Sequence, residues 1–346
     1  MSLNDYERQG SDWRAQIQKN QRKTYLVVAL FLIIYVLVGF IVDVVLLQSQ
    51  YTNLTTENAI YALTHFLVIP YGTLIMLGIA GISLLITYAL YDRIMLLGTE
   101  YHQVTAETAQ NLQEKQLYNV VEEMTVAAGL HYIPRVFIIE ADYMNAFASG
   151  YSERSAMVAI TRGLMQKLTR AELQAVMAHE LSHIRHGDIK LTLTVALLSN
   201  LLLIVVDILF YTMAFRRDNR REDNRLVMVI IVLRYVLPLL TVILTLFLSR
   251  TREYMADAGC VELMRDNEPL ARALLKIAQD HQQNAEQYQS QYGNTPHEQV
   301  RQASYLFDPS DIDPVKSMSS LMDTHPSVEQ RLEALGFTRK QQDSRE

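Results

Sequence analysis

Two histidines and a glutamate within five residues are the side chains best suited to chemistry in this sequence. His179 and His183 lie four positions apart, and Glu180 directly follows the first histidine. Residues four apart share one face of a helix, so both imidazoles can reach one metal ion. A carboxylate beside that ion can take a proton from a water molecule that the metal activates. The spacing therefore predicts a hydrolytic metal site, and the alternative is a solvated helix with this sequence by chance.

The residues around this motif predict that it lies on a helix. Thr169 and Glu172 form a Thr-x-x-Glu capping box, which marks a helix start. An apolar stripe follows at helical spacing, formed by Leu173, Val176, Met177 and Leu181.

A catalytic zinc ion takes three protein ligands and keeps one position open. No Cys-x-x-Cys pair is present, so the third ligand must be a histidine or a carboxylate. We expect Glu253 to be this ligand, and Asp257, one turn later, to accept the second ring N–H of a ligating histidine. The alternative is that both acids pair with Arg250 and Arg252 on a solvated helix.

Composition limits the class of protein. Of the 346 residues, 50% are hydrophobic, and four long apolar runs hold many of them. The net charge of −6 gives no basic footprint for nucleic acid. Cys260 is the single cysteine, which excludes an intramolecular disulfide and suits a reducing compartment.

The first two apolar runs, residues 24–47 and 66–90, are each long enough to cross a bilayer as a helix. Asp43 lies near the end of the first run, where we expect its side chain to reach the interface, and the alternative is a functional acid within the membrane. Residues 48–65 contain no Lys or Arg, whereas the flank before the first run carries Arg14, Lys19, Arg22 and Lys23. Positive charge favours the cytoplasmic side, so the N-terminus and the residues after 90 are predicted to be cytoplasmic.

The second pair of apolar runs, residues 191–215 and 226–248, has a connecting loop that conflicts with this rule. That loop would be extracytoplasmic, yet it contains five arginines: Arg216, Arg217, Arg220, Arg221 and Arg225. Either both runs span the membrane with an anomalous loop, or they pack partly on the soluble domain as buried helices. Their length favours spanning, which gives four transmembrane helices.

Residues 91–190 are predicted to be the first part of a soluble domain. The pattern favours a helix over 105–130 and strands over 134–139, 144–150 and 156–160. The last two strands are predicted to form a hairpin, because Glu153 and Arg154 fall in a turn between them. A small sheet against the metal-motif helix makes this a mainly α-helical α+β domain.

Residues 249–346 are predicted to complete that domain. Helices are expected over 251–266 and 269–284, followed by a polar linker over 282–320. A short helix follows Pro326, with Ser327 and Gln330 as a cap pair and Gly336 at its end. In this division residues 1–23 form an N-terminal segment, and 24–90 and 191–248 form two membrane pairs.

Three motifs in order carry a resemblance to a known family. They are His-Glu-Leu-Ser-His at 179–183, Ser-Arg-Thr-Arg-Glu-Tyr-Met-Ala-Asp-Ala at 249–258, and Asn-Ala-Phe-Ala-Ser-Gly at 145–150. Together they resemble HtpX-type membrane zinc metalloproteases. Two apolar runs before the domain and two between the metal motifs also match, so the resemblance covers nearly the whole chain.

The resemblance implies a gluzincin catalytic domain on the cytoplasmic face of a bacterial inner membrane. It implies an endopeptidase that degrades misfolded or damaged membrane proteins under stress, with other membrane quality-control proteases as candidate partners. By position, it assigns one Zn²⁺ to His179, His183 and Glu253, and catalysis to Glu180.

Two further elements are candidates for substrate contact. Asn145, Ala146, Phe147 and Ala148 would form an exposed edge strand on which an unfolded substrate pairs. The alternative for Asn145 is a turn residue that opens the strand. His325 precedes a proline, as in related zinc peptidases, and is a candidate donor to the developing oxyanion. Its alternative is a surface histidine before a helix.

The sequence also fits two other functions. A polytopic transporter or scaffold would contain the histidine motif by chance and would need paired polar residues within its membrane helices. Asp207 and Arg234 are the pair that fits this requirement. The related CAAX prenyl endopeptidases share the zinc arrangement, but they are similar to this chain in fewer of its other features.

Overall fold

The structure is a computed structural model that describes residues 3–8, 12–51, 54–96, 100–150, 152–214, 224–288, 306 and 325–340. The chain divides into two compact units. The first unit comprises Met1–Thr24, Tyr88–Leu191 and Leu248–Glu346, and the second comprises Tyr25–Thr87 and Thr192–Phe247.

The first unit contains a four-stranded sheet with the order β2-β3-β5-β4. Its strands are β2 (Tyr101–Val104), β3 (Arg135–Ile139), β4 (Ala146–Ser149) and β5 (Met157–Thr161). The predicted hairpin is confirmed, because β4 and β5 pair antiparallel with Ala146 opposite Ile160. Sequence patterns did not predict β2, whose mostly polar residues pair antiparallel with β3 at one edge.

Helices α5 (Arg162–Lys167) and α6 (Arg170–His186) contact this sheet. The same unit contains α4 (Leu112–Ala128), α9 (Glu268–Gln283) and α10 (Val328–Ala334). The prediction of a helix over 105–130 was too long at its start, since the Asn111 side chain caps the helix by accepting from Glu114 N–H. Helix α6 packs against α4, α9 and β4, so the metal motif lies at the centre of the unit.

The ends of the chain pair with each other in the first unit. Strand β1 (Tyr6–Arg8) forms an antiparallel pair with β6 (Phe337–Arg339). Tyr6 and Phe337 are both buried in the core of this unit. The N-terminal segment is therefore part of the same fold as the C-terminal helix.

The second unit is built from apolar helices. Its residues lie in α1 (Trp13–Gln50), α2 (Thr56–Thr64), α3 (Tyr71–Leu96), α7 (Asp188–Ala214) and α8 (Asn224–Met264). Among the described residues, three helices are long and apolar enough to cross a membrane: Trp13–Gln50, Thr194–Met213 and Leu226–Met264. The second predicted run lies in α3, of which the described apolar stretch Tyr71–Ile86 is shorter than the three candidate spans. Three spans are therefore supported, and the predicted fourth is not confirmed.

Large apolar side chains on these helices are exposed, as expected where lipid covers a surface. Examples on α7 and α8 are Ile204, Ile208, Met228, Val232 and Leu239. This exposure does not fit the alternative of helices buried in a soluble domain. The arginine-rich loop lies outside the described residues at positions 215–223, as does most of the predicted linker over 282–320.

Asp43 does not reach the interface as we predicted, because it is buried within the second unit. Its carboxylate accepts the Gly72 N–H at 2.6 Å and the Thr73 N–H at 3.0 Å. Gly72 and Thr73 lie in the first turn of α3, where backbone N–H groups have no partner within the helix. Asp43 therefore caps a neighbouring helix.

Candidate metal centre

Helix α6 places the three residues of the metal motif in the core of the first unit. The predicted capping box is confirmed, with both reciprocal bonds between Thr169 and Glu172 present. The helix ends at Gly187, whose φ of 67° suits a left-handed cap that glycine adopts at little cost. His179 and Glu180 are buried, and His183 is partly exposed.

His179, His183 and Glu253 converge on one point. One ligand atom from each lies within 4.8 Å of the other two. The two histidine Nε2 atoms are 3.2 Å apart. Glu253 Oε2 lies 3.6 Å from His179 Nε2, and Glu253 Oε1 lies 3.4 Å from His183 Nε2. Two imidazoles and one carboxylate at this separation are a donor set that Zn²⁺ prefers.

An aspartate lies beside the second nitrogen of each histidine ring. Asp257 Oδ1 is 3.0 Å from His179 Nδ1, and Asp188 Oδ2 is 2.8 Å from His183 Nδ1. Such carboxylates fix the ring orientation and leave Nε2 free to bind a metal. The helical spacing predicted Asp257 for this position, whereas no sequence pattern indicated Asp188, which follows α6 by one glycine.

Two buried arginines hold these aspartates: Arg331, which no sequence pattern indicated, and Arg252, which the sequence suggested only as a partner of Glu253 or Asp257. Arg331 donates to both Asp257 oxygens. Arg252 Nη2 lies 3.1 Å from Asp188 Oδ1. The alternative in which Arg252 pairs with Glu253 or Asp257 on a solvated helix is wrong, because all three side chains are buried at this centre. A buried ion pair is tolerated where each charge has a partner.

A glycine allows α8 to approach the metal motif. A Cβ atom added at Gly259 would lie 2.0 Å from the Ser182 Oγ. Any side chain at this position would push α8 away from α6. Because Glu253 and Asp257 precede Gly259 on α8, the close approach helps to bring both acids to the two histidines.

Glu180 is buried beside the ligands. Within the described part of the chain, neither of its carboxylate oxygens has a hydrogen-bond partner. Burial raises the pKa of the Glu180 carboxyl, and the neighbouring histidines oppose this shift. A buried carboxylate without a partner is costly, and a water molecule at the metal would relieve that cost.

His325 is buried, so the alternative of a surface histidine is wrong. Its Nδ1 lies 3.7 Å from Glu253 Oε2. His325 lies two residues before Ser327, the N-cap of α10. The predicted cap pair of Ser327 and Gln330 is confirmed. His325 therefore lies close to the metal ligands.

Two other histidines lie away from the ligand set: His281, which is buried, and His186, which is partly exposed. His186 contacts Ser182 Oγ at 3.2 Å, and burial lowers its pKa to about 4. His281 contacts the Ile277 carbonyl oxygen at 3.0 Å, and burial also lowers its pKa to about 4. Both are therefore neutral at pH 7.

The predicted substrate strand β4 lies at an edge of the sheet, opposite β2. All four of its residues are buried, so the strand is not exposed along its length as we predicted. Asn145 directly precedes the strand, and its Oδ1 accepts the Ala146 N–H at 3.0 Å. The Ala146 carbonyl oxygen accepts the Leu306 N–H at 2.9 Å.

Known proteins similar to this chain were identified from its sequence and fold. Residues 111–338 match peptidase family M48. A protein named Protease HtpX homolog from Helicobacter pylori (strain Shi470) is 38% identical over 321 residues, covering 92% of this chain and 96% of that protein. A protein of the same name from Limosilactobacillus fermentum is 33% identical over 327 residues, covering 92% and 98%.

A solved structure is also similar. The crystal structure of S. mikatae Ste24p aligns with a TM-score of 0.47 and 21% identity, and the alignment covers 75% of this chain and 57% of that one.

Proposed function

This chain belongs to peptidase family M48 and is a membrane-associated metallopeptidase of the HtpX type, and we propose that it is a zinc-dependent endopeptidase for misfolded or damaged membrane proteins. The observation that supports a hydrolytic centre is the convergence of His179, His183 and Glu253 beside the buried Glu180. One Zn²⁺ per chain fits this donor set, in which every atom is an imidazole nitrogen or a carboxylate oxygen.

The protein residues have separate roles in this proposal. His179, His183 and Glu253 would hold the ion, and Asp257 and Asp188 would orient the two imidazoles. A bound Zn²⁺ would polarise the scissile carbonyl and lower the pKa of a water molecule.

Glu180 is assigned as the general base. Its carboxylate takes the proton from the attacking water and later delivers it to the leaving amine. Burial raises the pKa of its carboxyl, and the two histidines beside it oppose this shift.

His325 is assigned as a donor to the developing oxyanion, since its ring lies next to Glu253 in the core. A positioned donor of this kind stabilises charge that appears only in the transition state.

An extended substrate would pair with the outer edge of the segment Asn145, Ala146, Phe147 and Ala148, where the backbone groups of Ala146 and Ala148 point away from β5. Binding through backbone hydrogen bonds depends little on the sequence of the substrate. This tolerance suits a protease that removes unfolded proteins with many different sequences.

The membrane arrangement in this proposal has four spans, with the fourth contributed by residues 66–90. The catalytic unit faces the cytoplasm of a bacterial inner membrane, as the distribution of Lys and Arg around the first two runs indicates. The substrates are unfolded proteins of the same membrane, and other membrane quality-control proteases are candidate partners.

The test is Glu180→Gln in the full-length protein in detergent. Zinc content should be unchanged, and cleavage of a misfolded membrane protein should fall by about 10²–10⁴-fold, because the base is lost while the ligands remain. Glu262→Gln on α8, away from the ligands, is the control and should cleave normally. Undiminished cleavage by Glu180→Gln would remove the proposed base. Preferential cleavage of a prenylated peptide would replace the proposed substrate class with that of the prenyl endopeptidases.

A further inference from the structure

Leu306 is bound to the outer edge of the proposed substrate strand. Asn145, the residue directly before β4, already pairs with β5, because its carbonyl oxygen accepts the Thr161 N–H. Backbone groups alternate in direction along a strand, so those of Ala146 point away from β5. The Ala146 carbonyl oxygen accepts the Leu306 N–H at 2.9 Å. A residue of the chain itself therefore occupies the side of β4 on which a substrate would pair.

The carbonyl group of Leu306 is held as well. Arg331 Nη1 donates to the Leu306 carbonyl oxygen at 2.7 Å, and the same nitrogen lies 3.5 Å from Glu253 Oε2. Arg331 is fixed in turn by its two bonds to Asp257. The backbone of Leu306 is thus held between the strand edge and an arginine that touches a proposed metal ligand.

The side chain of Leu306 is buried in the apolar core of the first unit, with 1% of the residue exposed. Peptide-binding edges hold a bound residue through its N–H and C=O, and pockets for its side chain give specificity. Leu306 makes all three of these contacts.

We propose that Leu306 occupies the binding position of one substrate residue, and that this position selects a large aliphatic side chain. The inference rests on the proposed function, in which β4 binds the substrate. Ala146 and Arg331 recognise the backbone of that residue, and the pocket filled by Leu306 recognises its side chain. A substrate must displace Leu306 before it binds. The apparent affinity for the substrate is therefore the intrinsic affinity multiplied by the fraction of protein in which this position is empty.

The first experiment compares Leu306→Ala with the unchanged full-length protein in detergent, with zinc present and a peptide substrate. The intramolecular competitor is present at an effective concentration in the millimolar range. Its truncation should lower KM by about tenfold and leave kcat within about twofold, because Leu306 competes only with binding. Leu270→Ala, which truncates a buried leucine of α9 in the same core, is the matched control and should not lower KM. An unchanged or raised KM for Leu306→Ala would mean that Leu306 only stabilises the fold.

The second experiment measures binding without cleavage. A labelled peptide of residues 301–311 (Arg-Gln-Ala-Ser-Tyr-Leu-Phe-Asp-Pro-Ser-Asp) is titrated into the Leu306→Ala, Glu180→Gln double variant and followed by fluorescence anisotropy. The same peptide with Leu306→Asp should bind about tenfold more weakly or worse, because a buried carboxylate has a large desolvation cost. Equal binding of the two peptides would overturn the aliphatic pocket.

The two proposals fail in different ways. If the peptides bind as expected but no cleavage depends on Glu180, the proposed function is wrong and the Leu306 position stands. If cleavage depends on Glu180 but KM does not fall in Leu306→Ala, the inference about Leu306 is wrong and the proposed function stands.

Discussion

Arg331 donates two hydrogen bonds to the carboxylate of Asp257, from Nε at 2.9 Å and from Nη2 at 2.6 Å. Both side chains are almost fully buried. Two parallel bonds fix the plane of the carboxylate, and Asp257 Oδ1 then lies 3.0 Å from His179 Nδ1. The orientation of a proposed metal ligand on α6 therefore depends on an arginine of α10.

Asp257→Asn should weaken zinc binding by about 10–100-fold, because an amide is a poorer acceptor for the His179 ring and leaves Arg331 partly unpaired. Competition with a chelator measures this affinity in the purified protein. Glu262→Gln, further along α8, serves as the control. Unchanged zinc affinity in Asp257→Asn would show that Asp257 does not orient His179.

His325→Ala should lower kcat by about 10²-fold or more with one zinc still bound per chain, as expected when a donor to the oxyanion is removed. Steady-state kinetics and metal analysis of the same sample make the comparison. Loss of zinc would instead assign His325 to the ligand set. His131→Ala, at an exposed position, is the control and should change neither quantity.

The stability of the protein should fall as the pH falls from about 6.5 to about 4, in part because of His281. Burial lowers the pKa of folded His281 to about 4, below the ordinary value of 6.5. In this range the unfolded chain binds a proton that the folded chain does not, so acid favours unfolding. The full difference corresponds to roughly 3 kcal/mol.

Thermal unfolding at pH 7.5 and pH 5 tests this contribution. The melting temperature of His281→Gln should fall less between the two pH values than that of the unchanged protein. His131→Gln should show the full decrease. An identical decrease in all three proteins would contradict the assignment to His281.

A cysteine introduced at Arg220 should be labelled only from outside the cytoplasm if residues 191–215 and 226–248 both span the membrane. The background is Cys260→Ala, and Lys340→Cys, at an exposed position of the catalytic unit, is the control for the cytoplasmic side. Membrane-impermeant maleimide applied to intact cells and to inverted vesicles measures the two sides. Labelling of position 220 from the cytoplasm would exclude the spanning arrangement.

Local features were predictable because each depends on residues that are close in the sequence. The cap at Thr169, the four-residue spacing of His179 and His183, and the cap at Ser327 follow from backbone geometry within one or two helical turns. The β4–β5 hairpin was predictable for the same reason, since a short turn joins its strands. Strand β2 was not, because its mostly polar residues form a strand only where β3 offers a partner.

The sequence by itself determined which residues could bind a metal: two histidines on one helical face and a carboxylate after the fourth apolar run. Only the tertiary structure decided which side chains surround them. Arg331 is 74 positions from Asp257, and Leu306 meets Ala146 from a segment far along the chain. Such partners are selected by burial, since a buried charge or backbone group must find a complementary group wherever the fold brings one. No pattern in the local sequence predicts these long-range partners.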